Sequence, residues 1–130
     1  MTIKALLIRF TAIYIVFLMA IATIFVLLDV KANSGVNTGA LAGAVLAACY
    51  WFAYKNKRYF SAGEKKTVII SMCLINILVQ TLAALVFTKV SGLKLPFGTM
   101  FLGIMLIGLL HSIGIYVFVG IAGKQYAKQA

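Results

Sequence analysis

Four long apolar stretches fill most of this chain and constrain its fold more than any other feature. Their approximate bounds are 10–29, 36–54, 66–88 and 97–123. At about 1.5 Å per helical residue, each stretch is long enough to cross a hydrocarbon core about 30 Å thick. A helix satisfies its backbone hydrogen bonds internally, as a bilayer requires. We therefore predict an all-α integral membrane protein, with residues 1–130 forming a single bundle of four transmembrane helices.

The basic residues lie at the ends of these stretches. The net charge of +10 by itself would suit a nucleic-acid-binding protein. However, the lysines and arginines form no continuous patch that could follow a phosphate backbone, so we expect no nucleic-acid partner. Their expected role is to set topology and to meet lipid headgroups, which makes the bilayer the first partner. The central loop carries the largest group: Lys55, Lys57, Arg58, Lys65 and Lys66.

The distribution of basic residues predicts the orientation. Nine of the 12 lie in the two terminal segments and the central loop, and three lie in the other two connections. Cytoplasmic loops carry the excess of Lys and Arg, so we predict that both termini are cytoplasmic. Lys4 and Arg9 ahead of an apolar run also resemble a signal peptide. That run is longer than the usual apolar region of such a peptide, so we expect the first helix to be retained.

The second stretch contains a regular row of small residues. Gly35, Gly39, Gly43 and Ala47 recur at a spacing of four, so they share one helix face. Small residues let helix backbones approach closely in a bilayer, where no hydrophobic force drives helices together. We predict that this row is a helix-packing seam. The second helix has to pack within its own bundle, and the row could also receive a second copy or a foreign helix. Ala40, Ala44 and Ala48 form the adjoining row.

Three strongly polar side chains lie deep within the apolar stretches. At ~1.5 Å per helical residue counted from Lys66, Asn76 is ~15 Å and Gln80 ~21 Å deep. The same count from Lys124 places His111 ~20 Å deep. The third and fourth helices run antiparallel, so these depths predict a hydrogen-bonded cluster. An unpaired polar group in hydrocarbon costs several kcal/mol, so the cluster should face protein. It serves either as interhelical support or as a polar path for a solute.

The sequence contains no arrangement of residues that predicts catalysis. There is no nucleophile–base pairing, no phosphate-binding loop and no pair of carboxylates, so we expect no enzyme and no cofactor. Cys49 and Cys73 lie at depths that do not match His111, so we expect no metal site. Two functions stay open. One is partner binding through helix contacts, as an accessory subunit or as an immunity protein to a membrane-acting toxin. The other is a small homodimeric transporter or channel with Asn76, Gln80 and His111 along its path.

Two local signals complete the picture. Ser61 and Glu64 match a capping box, which predicts that the third helix begins near Ala62.

Three short segments, 33–37, 57–61 and 123–129, resemble an uncharacterised ABZJ-type family of small four-helix bacterial inner-membrane proteins. In that family Pro-Thr often stands where this chain has Phe60-Ser61. The resemblance implies four helices and a bacterial inner membrane, and it supplies no established activity.

Overall fold

The structure, a computed structural model, describes residues 1–31, 34–92 and 94–129. It contains four helices, and the described residues form no strand. The helices are α1 (Ile3–Leu27), α2 (Ser34–Asn56), α3 (Ala62–Ser91) and α4 (Phe97–Gln129). All four are long and apolar enough to cross a membrane, which confirms the prediction of an all-α, four-helix chain. The helices extend beyond the predicted apolar stretches, because polar residues at their ends continue the helical hydrogen bonding.

The predicted capping box sets the start of α3. The Ser61 hydroxyl accepts a hydrogen bond from the Glu64 backbone N–H at 3.4 Å, and the Glu64 carboxylate accepts one from the Ser61 N–H at 2.9 Å. The helix then begins at Ala62, as predicted. It ends at Gly92, whose φ of 66° is left-handed and therefore suits a residue without a Cβ.

The helices pack in the cyclic order α1, α2, α4, α3. Helix α2 packs against α1 and α4, and α3 packs against α4 and less extensively against α1. We call one end of the bundle the terminal end, because it carries the start of α1, the 57–61 connection and the end of α4. The opposite end, with the α1–α2 and α3–α4 turns, is the hairpin end.

Tight packing is concentrated in the half of the bundle nearer the terminal end. On α1 the last buried residue is Tyr14, and on α3 it is Gln80. On α4 the first buried residue is Gly108. Among the described residues, the hairpin-end segments of these three helices therefore contribute no fully buried side chain, although Leu18 and Ile21 of α1 pack against the core half-buried. The core itself has apolar side chains from all four helices: Leu6, Phe10, Leu41, Val45, Phe52, Val68, Met72, Ile115 and Val119.

Tyr59 closes the terminal end by packing onto α4. Its hydroxyl donates to the Val119 carbonyl at 2.6 Å, and its ring lies against Gly123. Burial raises the pKa of the Tyr59 hydroxyl, so this group stays protonated and keeps its role as a donor. A Cβ on Gly123 would lie 2.7 Å from the Tyr59 ring, so the close approach requires glycine at this position.

We expect Gly123→Leu to displace the Tyr59 ring and to cost about 1 kcal/mol of stability, because overpacking at a half-buried site is partly relieved by movement of the ring. Gly120→Leu is the matched control, since a Cβ on Gly120 meets nothing within 4 Å. The thermal unfolding midpoint of each purified variant in detergent measures the effect. Equal midpoints for the two variants would show that the contact between Tyr59 and Gly123 does not constrain the fold.

Candidate functional site

All four helices contribute polar side chains to one cluster, which we call the polar network. Its members are Tyr14 of α1, Asn37 and Thr38 of α2, Asn76 and Gln80 of α3, and His111 of α4. The three residues singled out by depth in the sequence are brought together here. Asn76 is 0% exposed, His111 5% and Gln80 8%. The network therefore lies inside the bundle, at the level where the tightly packed half ends.

Asn76 is the centre of the network. Its Oδ1 accepts a hydrogen bond from the Tyr14 hydroxyl at 2.9 Å and another from Gln80 Nε2 at 3.0 Å. The Tyr14 hydroxyl also lies 2.7 Å from Asn37 Oδ1. One hydroxyl proton cannot serve both oxygens at once, so Tyr14 bonds α2 and α3 alternately. The Nδ2 of Asn76 is buried without a hydrogen-bond partner.

His111 connects α4 to the other helices. Its Nδ1 lies 2.7 Å from Gln80 Nε2, and its Nε2 lies 3.3 Å from the Thr38 hydroxyl. An amide nitrogen can only donate, so Nδ1 is the acceptor and the proton of the neutral ring is on Nε2. That proton points to Thr38. The arrangement consists of neutral groups bonded to one another, and this chemistry suits holding helices in register.

An apolar groove of about 830 Å³ opens between α1 and α3 on the hairpin side of the network. Along α1 it extends from Ile15 to Val26, which is about 17 Å by helical rise. The groove lies where, among the described residues, α1 and α3 bury no further residue beyond Tyr14 and Gln80. Its walls include the sequence neighbours of network residues, and Asp29 and Lys31 lie at its outer end. Apolar lining residues include Leu18, Phe25, Val36, Val79, Ala83 and Phe87.

The alanine row of α2 is buried, whereas the predicted glycine row is only partly covered within the chain. Ala40, Ala44 and Ala48 are buried between α1 and α4. In contrast, Gly39 is exposed, and a Cβ added there would meet nothing within 4 Å. Within the single chain, the buried contacts of α2 therefore involve the alanine row and Gly43, while Gly39 is left open.

The other members of the predicted row differ in how far the chain covers them. Gly35 is exposed and Ala47 is half-buried. Gly43 is the member that packs within the chain, because a Cβ there would lie 2.8 Å from the Phe17 ring of α1. Beyond Ala47 the same face ends in exposed Trp51 and Tyr54 at the terminal end.

The basic residues of the central connection have different partners. Arg58 binds the Glu64 carboxylate through both terminal nitrogens, at 2.6 and 2.9 Å. Lys57 lies over the Tyr54 ring. Lys55 lines a shallow pocket beside Trp51. Lys65 and Lys66 lie on α3 and line a groove beside α4. Lys65 also lines a second groove, together with Lys124 of α4.

Sequence reasoning missed the contributions of α1 and α2 to the polar network. Tyr14 lies near the start of the first apolar stretch. A count of helical rise from Arg9 places it only ~8 Å deep, so depth alone did not link it to Asn76 at ~15 Å. Asn37 and Thr38 gave no signal either, because they lie near the start of α2, where polar residues are ordinary. Their role follows from the short reach of α2 beyond the network.

The fold and the network together define an all-α chain of four membrane-length helices joined by a polar cluster. Comparison with protein-family models, curated proteins and solved structures finds no match for this chain.

Proposed function

We propose that this chain is a non-enzymatic, multi-pass protein of the bacterial inner membrane that works by helix–helix binding. Its partner is another membrane protein or a second copy of the chain. The roles that fit this activity are an accessory subunit or an immunity protein to a membrane-acting toxin. The excess of basic residues at the terminal end supports an orientation with both termini in the cytoplasm.

The observation that carries the proposal is the exposed start of the glycine row of α2, at Gly35 and Gly39. Glycine in a helix costs about 1 kcal/mol relative to alanine. The fold does not use Gly39, because α2 packs through its alanine row and a Cβ on Gly39 would contact nothing. An exposed row of small residues permits a second helix to approach backbone to backbone, and such contact drives association in lipid. A binding role for this face explains why glycine stands there.

The polar network supports the same proposal over transport. Its side chains bond to one another across all four helices, at distances between 2.7 and 3.3 Å. The groove beside the network is lined by Val36 and Val79 rather than by their polar neighbours Asn37 and Gln80. A permeation path needs polar groups that turn toward the solute, whereas these turn toward one another.

Association through this face is tested by replacing Gly39. A photo-crosslinking residue at Trp51, exposed on the outward face of α2, should give one discrete adduct in bacterial membranes. Gly39→Leu should reduce that adduct about tenfold or more, because the larger side chain holds the second helix away. The variant should fold normally, since the added side chain meets nothing within the chain.

Two controls make the result specific. Gly103→Leu places the same side chain at an equally open position on α4, and it should leave the adduct unchanged. A crosslinker at the exposed Leu109 of α4 should give no discrete adduct. An adduct at Trp51 that persists in Gly39→Leu, or the absence of any adduct there, would overturn the proposal.

A further inference from the structure

Two adjoining grooves lie on the α3–α4 face at the terminal end of the bundle, and both are lined by Lys65 and Tyr116. The first has a volume of about 410 Å³, and its other lining residues are Ala62, Lys66, Ile69 and Ile70. The second has a volume of about 300 Å³, and its other lining residues are Val117, Gly120, Ile121 and Lys124. Each groove thus combines lysines at its polar end with branched apolar residues farther along the helices.

The lysines of these grooves have no acidic partner. The sequence contains two acidic residues, and Asp29 lies at the hairpin end. Glu64 is held by Arg58 and by the Ser61 N–H, and among the described residues this is the one ion pair. Lys65, Lys66 and Lys124 therefore present three uncompensated positive charges on one face. Such a face calls for an anionic occupant.

The shape of the face suits a lipid. Ile69 and Ile70 continue the first groove along α3, and Val117 and Ile121 continue the second along α4. Gly120 leaves the second groove open, because a Cβ there would meet nothing within 4 Å. The Lys65 ammonium lies 5.8 Å from the centre of the Tyr116 ring, on the ridge between the grooves. A cation thus stands between two apolar channels, with a further lysine beside each.

We infer that this face binds one phospholipid that carries two phosphate groups. One phosphate lies between Lys65 and Lys66, and the other lies between Lys65 and Lys124. The acyl chains follow the two apolar channels toward the middle of the bilayer. Basic pockets between helices at the cytoplasmic side of a membrane recognise such headgroups. This site is independent of the glycine face of α2 and does not rest on the proposed function.

Native mass spectrometry of the purified full-length chain tests the site, with tetraoleoyl cardiolipin as the probe. The wild-type chain should retain one cardiolipin and should release dioleoyl phosphatidylcholine. The double variant Lys65→Gln, Lys124→Gln should bind cardiolipin about 10- to 30-fold more weakly, since each removed lysine weakens the attraction to anionic lipid. Gly120→Leu should also weaken binding, because it places a side chain in the second groove, where a Cβ meets nothing within 4 Å.

The matched control removes the same charge elsewhere. The double variant Lys55→Gln, Lys57→Gln takes two lysines from the same end of the bundle but from outside both grooves. It should retain cardiolipin as the wild type does. Equal weakening in the two double variants would show a diffuse electrostatic attraction, and equal retention of cardiolipin and a single-phosphate phosphatidylglycerol would exclude a two-phosphate site. Either outcome overturns the inference.

Discussion

Asn76→Leu is expected to cost about 2 kcal/mol of stability, because it removes the acceptor of two hydrogen bonds, one between helices and one within α3. Hydrogen bonds between membrane helices contribute about 0.6 to 1.7 kcal/mol each. The lost bonds come from the Tyr14 hydroxyl on α1 and from Gln80 Nε2 on α3. Leucine is close to asparagine in shape, so little cavity is left. The unbonded Nδ2 of Asn76 contributes no bond that could be lost. Reversible unfolding in mixed detergent measures the change.

A graded series separates the network from general effects of the substitution. Tyr14→Phe removes the hydroxyl group, whose single proton can donate to only one of its two acceptors at a time. It should therefore cost about 1 kcal/mol, the free energy of one such hydrogen bond. Thr23→Val removes a hydroxyl that bonds its own helix at Met19 and lies exposed on α1, so it should cost almost nothing. If Asn76→Leu proved as harmless as Thr23→Val, the network would not hold the helices together.

The sequence predicted the helices well because their determinants are local. A charge-free stretch of sufficient length forces a helix in a bilayer, and Ser61 with Glu64 fixed the start of α3 to the residue. The depth calculated for Asn76, Gln80 and His111 also placed these three side chains at similar levels, and in the structure they lie within hydrogen-bond distance of one another. This calculation required only that α3 and α4 run antiparallel through a short turn, and a fixed rise per residue then sets the levels of the side chains.

The choice between the two rows of α2 was not local. Gly39 and Ala40 are neighbours on the helix, and both belong to rows of small residues. Which row is buried depends on where α1 and α4 lie, and the alanine methyl groups fill that interface. Sequence periodicity alone does not show which of the two rows is buried, because both rows repeat at the same spacing.

The groove between α1 and α3 was missed for a related reason. Beyond the network, α2 continues for only one turn past Thr38, from Asn37 back to Ser34, whereas α3 continues from Gln80 to Ser91. In the described part of the chain, helix α2 does not pack against α3, so the groove wall opposite α3 comes mainly from α1, which buries no residue beyond Tyr14. This arrangement depends on the tertiary packing and leaves no pattern in the sequence.

The largest effect of a substitution in the middle of the bundle is expected at Gly108, which is buried where α3 meets α4. A Cβ there would lie 3.1 Å from Cγ1 of Ile77, so a leucine side chain forces the two helices apart. We expect Gly108→Leu to cost about 3 kcal/mol, at the upper end of the usual overpacking penalty. Gly108 lies one turn from His111, so the same displacement should lengthen the 2.7 Å contact between His111 and Gln80.

Two readouts distinguish this effect from a general response to leucine. The chain has a single histidine, so the ¹⁵N signals of one imidazole report directly on the polar network. In Gly108→Leu these signals should shift and the unfolding free energy should fall. In Gly103→Leu, on the same helix with nothing within 4 Å of its Cβ, both should stay close to the wild type. Because the gain in helix propensity is the same in both variants, their difference isolates the contact with Ile77. Equal stability and an unshifted imidazole in Gly108→Leu would mean that close approach of α3 and α4 does not position His111.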